Sequence, residues 1–112
     1  MSVSDSFRAF MEQAPQFSGP WMQQVEQLGR ASSLDERTRH LAYLAVLAAT
    51  GLTSGVGFHA MLARKAGATR EDVISAILVG LPAAGLRVVQ ALPAALEAFD
   101  GPPQSPPAPT SR

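Results

Sequence analysis

The chain has 112 residues, 46% of them apolar, and its nine basic residues balance nine acidic ones for a formal net charge of zero. That length and apolar share set one domain with a buried core, and with no Lys/Arg cluster there is no electrostatic footprint for a nucleic acid. The chain has no cysteine, which excludes a disulfide scaffold, thiolate metal sites and a cysteine nucleophile.

Nothing reads as a strand, and about six helical segments account for most of the chain, so the expected fold class is all-α. In the first, Asp5 to Ala14, residues Phe7, Phe10, Met11 and Ala14 repeat at helical spacing, and Pro15 ends it. Asp5 and Glu12 leave no apolar run at the start, so no signal peptide is expected and the expected location is the cytoplasm. The second helix is predicted from Pro20, a good first-turn residue, to Gly29, with Trp21, Val25 and Leu28 as its apolar stripe.

The third helix is predicted to open on a capping box, Ser33 with Glu36. From Leu41 to Ala49 it is apolar all round. Such a helix must be surrounded, and burial at a subunit interface would supply the cover that six short helices barely can. Leu41 to Phe58 is uncharged, but Thr50, Gly51, Thr53, Ser54, Gly55 and Gly57 mark a turn and a new helix start, so no membrane span is expected. The fourth helix is predicted over Ser54 to Ala66, with Gly67 as a left-handed cap. Thr69 caps the fifth, with Asp72 in the box position and a stripe of Val73, Ile74, Ile77, Leu78 and Leu81. A last helix from about Leu86 carries Val89, Leu92, Leu96 and Phe99, and Pro93 should kink or restart it. The domain is therefore drawn over residues 1–99. Residues 100–112 are read as a disordered Pro-rich tail, since GPPQSPPAPTSR holds five prolines and no large apolar residue.

The segment Leu34 to Gly85 resembles the carboxymuconolactone decarboxylase family, which includes the alkylhydroperoxidase D-like disulfide reductases. The resemblance rests on two helices meeting at a glycine-rich turn, on His59 just after it, and on the junction Ala66-Gly67-Ala68-Thr69-Arg70-Glu71-Asp72; it extends to Phe99. It implies an all-α fold around an antiparallel helical hairpin, assembled as a homotrimer or homohexamer. In the redox branch of the family two cysteines stand seven and four residues before the histidine, where this chain has Leu52 and Gly55. A glutamate of that branch corresponds to His40. The lactone-decarboxylase branch needs no cysteine, but its acidic and basic side chains are missing from Ser54-Gly55-Val56-Gly57-Phe58. Thiol peroxidase activity is therefore not expected, and decarboxylase chemistry has an incomplete residue set.

His40 and His59 are the chain's two histidines and the candidate catalytic residues, with Leu52, Gly55, Phe58 and Tyr43 as candidates for the surrounding pocket. Counted from a turn near Gly51–Leu52, the two rings fall on opposite arms within reach of each other or of a bridging water. Burial and like charge should depress their protonation, and a neutral imidazole is a competent base near neutral pH. The structural alternative is that both are satisfied core or interface residues. Two histidines lack a third metal ligand, so no metal and no cofactor is expected. Ser54 reads as a cap rather than a nucleophile, GLTSGVG lacks the spacing of a phosphate loop, and the methionines read as core filler. The functional expectation is a small organic ligand beside His59, with non-redox acid/base chemistry. The alternative is a catalytically silent helical oligomer.

Overall fold

The computed structural model describes residues 4–101, and those residues are helical with no strand among them. The elements are α1 (Asp5–Gln13), α2 (Pro15–Ala31), α3 (Glu36–Thr50), α4 (Val56–Lys65), α5 (Arg70–Leu78), the single turn α6 (Leu81–Ala84) and α7 (Leu92–Asp100). Short 3-10 segments cover Thr53–Gly55 and Gly85–Ala91. Residues 102–112, which hold nearly all of the expected Pro-rich tail, lie outside the described residues.

The core is made by α3, α4, α5, α7 and the Gly85–Ala91 segment. Leu44, Val56, Val73, Ile77 and Val88 are its largest fully buried side chains. The most extensive packing is α4 on α7, where Ala60, Ala63 and Ala95 are all fully buried. Alanines at these positions let two backbones approach closely, so the inner layer of this small protein is thin rather than bulky. α3 packs on α4, on α5 and on the Gly85–Ala91 segment, which makes it the central helix.

Glycine stops both arms that carry the histidines, and each stop is a Schellman motif. At the end of α3, Gly51 takes φ 77°, the Leu52 N–H donates to the Leu47 carbonyl at 3.0 Å and the Gly51 N–H to that of Ala48 at 3.3 Å. At the end of α4, Gly67 takes φ 102°, Ala68 N–H donates to Ala63 at 2.9 Å and Gly67 N–H to Arg64 at 3.0 Å. The capping box expected at Thr69 is present: Thr69 Oγ1 accepts from Asp72 N–H at 3.0 Å, and Asp72 Oδ2 accepts from Thr69 N–H at 2.9 Å. The same Asp72 oxygen pairs with Arg37 Nη1 at 3.1 Å, tying α3 to α5. Arg70 and Asp100 form a two-bonded pair at 3.0 and 3.3 Å that ties α5 to α7.

Several boundaries differ from the sequence expectation: α2 runs past Gly29 to Ala31, α5 ends at Leu78, leaving Leu81 to α6, and α7 takes in Asp100, which pairs with Arg70. α2 begins at Pro15 and runs through Pro20. Pro15 already satisfies the first-turn preference, and the carbonyl that Pro20 leaves without a donor belongs to exposed Gln16, where water can reach it. The cap of α3 is Asp35, whose carboxylate accepts from Thr38 N–H at 2.8 Å; the Ser33–Glu36 box does not form. Ser32 Oγ instead accepts from Leu34 N–H at 3.1 Å and turns the chain into the helix. Thr53–Gly55 is a 3-10 turn, so α4 starts at Val56. The last helix starts at Leu92, with Pro93 in its first turn, so Pro93 restarts the helix after the Gly85–Ala91 segment.

The run Arg70–Asp100 is long and apolar enough to cross a membrane by length and composition. It is folded, however, into three short helices with a 3-10 link, and Val73, Ile77, Val88, Ala91 and Ala95 of that run are fully buried. Val79 and Leu86 of the same run are 67% and 76% exposed. α1 and α2 pack on each other around Trp21, whose ring meets Phe7 and Phe10 edge-on at 6.1 and 5.7 Å. Neither makes an extensive contact with the rest of the fold. The stripe expected on α2 is therefore uncovered: Trp21 is 41%, Val25 44% and Leu28 63% exposed.

Candidate functional site

α3 and α4 are packed together and their glycine stops are short, so side chains one to three turns from the Gly51 turn meet across the pair. From α3 come His40, Tyr43 and Leu47, at spacings of three and four residues and so on one face. From α4 comes His59, near the helix start. The His59 ring lies against Tyr43 with centroids 4.5 Å apart, and Phe58 presents its edge at 5.5 Å. The two imidazole centroids are 6.3 Å apart, tilted by 40°.

His59 Nδ1 is buried and has no hydrogen-bond partner. An unpaired buried polar atom costs free energy and calls for an explanation. Burial, aided by the nearby His40, pushes the His59 pKa down from 6.5 to about 4. Burial also lowers the His40 pKa, with Arg39 acting in the same direction and Glu36 against it. By area His40 is the more covered residue, only 9% exposed. Its ring nevertheless lines an open groove, whereas His59 sits deeper among side chains, which is why burial moves His59 further. At neutral pH both rings are uncharged acceptors or bases.

The groove has a volume of about 530 Å³ and runs between the start of α3 and the end of α4. His40, Leu62 and Ala66 line it together with the charged Asp35, Glu36, Arg37 and Lys65. His59 is not among its lining residues.

Of the residues singled out from the sequence, the structure gathers His40, His59, Tyr43, Phe58 and Gly55 around one imidazole. A Cβ built on Gly55 would lie 3.9 Å from His59 Cδ2 and 3.8 Å from Leu47 Cδ1. Leu52 stands on the turn, 58% exposed. Sequence reasoning missed Leu47, Leu62 and Lys65. Helical spacing could have found the first two, Leu47 four residues after Tyr43 and Leu62 three after His59. Among the described residues no group of three metal-ligating side chains forms.

A helical protein with a neutral histidine pair held between two packed helices is the class that fold and site define. The chain belongs to the carboxymuconolactone decarboxylase family, whose sequence model matches residues 15–98. That span takes in α2 as well as the core. No curated protein and no solved structure matches the chain.

Proposed function

We propose that this chain is a thiol-free member of its family that binds a small organic molecule at the His40–His59 pair and moves protons on it without redox chemistry. The observation that carries this reading is the buried, unpartnered Nδ1 of His59 set 6.3 Å from a second neutral imidazole. A ligand hydroxyl or carbonyl-bound water can satisfy that nitrogen at little cost, because the site is already desolvated. Division of labour follows from the environments. With a pKa of about 4, His59 is a weak base that holds and orients a polar group. His40 reaches the groove and exchanges protons with water there, which suits the acid/base role. Tyr43, Phe58 and Leu47 supply the apolar wall, with Gly55 against His59 and Leu52 at the mouth of the turn. Without cysteine, no thiolate is present to attack a peroxide or a disulfide.

The same reading places α3 and α4 as the antiparallel hairpin of a cytoplasmic homotrimer or homohexamer, a single domain over residues 1–99 with neither nucleic acid nor membrane as partner. Binding of a small unsaturated lactone bearing a carboxylate, the chemistry in the family's name, tests the site. Titrated against the wild-type chain and His59→Gln, it should bind the first measurably and the second at least tenfold more weakly. Equal binding to both would make the histidines structural and leave a catalytically silent helical oligomer.

A further inference from the structure

α2 carries an apolar stripe that its own chain leaves open. Phe17, Trp21, Val25 and Leu28 recur at intervals of three and four residues, on one side of a 17-residue helix, and they are 71%, 41%, 44% and 63% exposed. Their neighbour α1 meets the stripe at Trp21, through Phe7 and Phe10. A stripe of this kind on a helix that barely touches its own core is unlike the scattered single apolar residues of an ordinary surface.

A second open apolar face adjoins His59. Tyr43, Val46, Leu52 and Phe58 are 44%, 54%, 58% and 41% exposed, and Tyr43 and Phe58 are the two rings in contact with His59. Neither face bears a charged residue within its stripe, and the whole chain is neutral, so no like-charge repulsion opposes their meeting.

We propose that the α2 stripe of one copy of this chain seats on the Tyr43–Val46–Leu52–Phe58 face of a second copy, closing the histidine site from outside. The areas fit this occupant. Stripe and face together expose roughly 800 Å² per copy, about what each partner gives to a standard stable interface. Either patch alone would give only about half that, below the range of a specific contact. An exchange in which each of two copies lends its stripe to the other brings both patches into one interface and closes by two-fold symmetry. The partner thereby contributes Phe17, Trp21 and Leu28 to the outer wall of the site. The proposal goes beyond ligand binding at the pair and holds whether or not that binding occurs.

Because the chain has no cysteine, single thiols can be placed at will. Chains carrying Leu28→Cys and differently tagged chains carrying Val46→Cys, mixed and treated with a short bismaleimide, should give chiefly the mixed cross-linked product. Only like-with-like product, or none, overturns the proposal. Separately, Leu28→Asp alters a side chain that the single chain leaves 63% exposed, so helicity should persist. Its mass by light scattering should fall to that of the 11.8 kDa chain at concentrations where wild type is at least twice as heavy. A wild type that is itself monomeric, or a folded Leu28→Asp variant of undiminished mass, overturns the proposal.

Discussion

Acidification through the pH 6.5 to 4 window should destabilise the fold by way of His59. The ring has a pKa of about 4 in the folded protein against 6.5 in the unfolded chain. The unfolded state therefore binds the proton first as pH falls, so stability is fully present above 6.5 and is lost on the way down to 4. At pH 5 the full linkage would amount to about 2 kcal/mol, and water access to a half-buried ring reduces it to about 1 kcal/mol. His40, also lowered, adds in the same direction. The carboxylates of Asp35, Asp72 and Asp100 are held below their usual range by hydrogen bonds from Thr38, Thr69 and Arg70 respectively, so their losses begin only at lower pH. Urea unfolding at pH 7.5 and pH 5 measures the difference. Wild type should lose about 1 kcal/mol more than His59→Gln across that interval. Equal losses in the two proteins would mean that His59 titrates normally and that its buried environment is misread.

Ile77→Ala removes a fully buried side chain from between α3 and α5 and should cost about 3 kcal/mol in urea unfolding; a loss under about 1 kcal/mol would place Ile77 outside the core. Thr69→Ala takes one half of the α5 capping box and should cost about 1 kcal/mol, while an unchanged midpoint would show the box idle. Wild-type protein free of metal should turn over no alkyl hydroperoxide in a dithiol-coupled assay, and turnover above the protein-free blank would refute the thiol argument. Leu52→Cys with Gly55→Cys should fold, since the Gly55 position has ordinary contact distances around it. Turnover should stay low even then, because a His59 uncharged above about pH 5 gives the new thiolate no ion-pair partner.

The parts of this fold that could be read from the chain are those written in local chemistry. Gly51 and Gly67 stop their helices because only glycine takes those positive φ angles at no cost, and Thr69 with Asp72 caps α5 through neighbours three residues apart. The approach of His40 to His59 followed from counting outwards from the Gly51 turn. What was hidden depended on competition or on the rest of the molecule. Pro15 and Pro20 are both acceptable first-turn residues, and only the conformation of Gln16 to Gly19 decides between them. Ser33 and Asp35 both favour a cap, and the carboxylate prevailed. The spacing of Trp21, Val25 and Leu28 correctly marked a stripe, but amphipathicity cannot say whether a chain covers its own stripe. The groove beside His40 was equally invisible, because it forms where the start of α3 and the end of α4 fail to meet.

The ring signals of His40 and His59, followed by NMR through a pH titration with and without the lactone carboxylate, test the paired site most directly. His59 should titrate near 4, rise slightly in His40→Gln, where the smaller source of the depression is gone while burial remains, and shift together with His40 when the probe is added. Two rings titrating independently near 6.5, and deaf to the probe, would contradict the site.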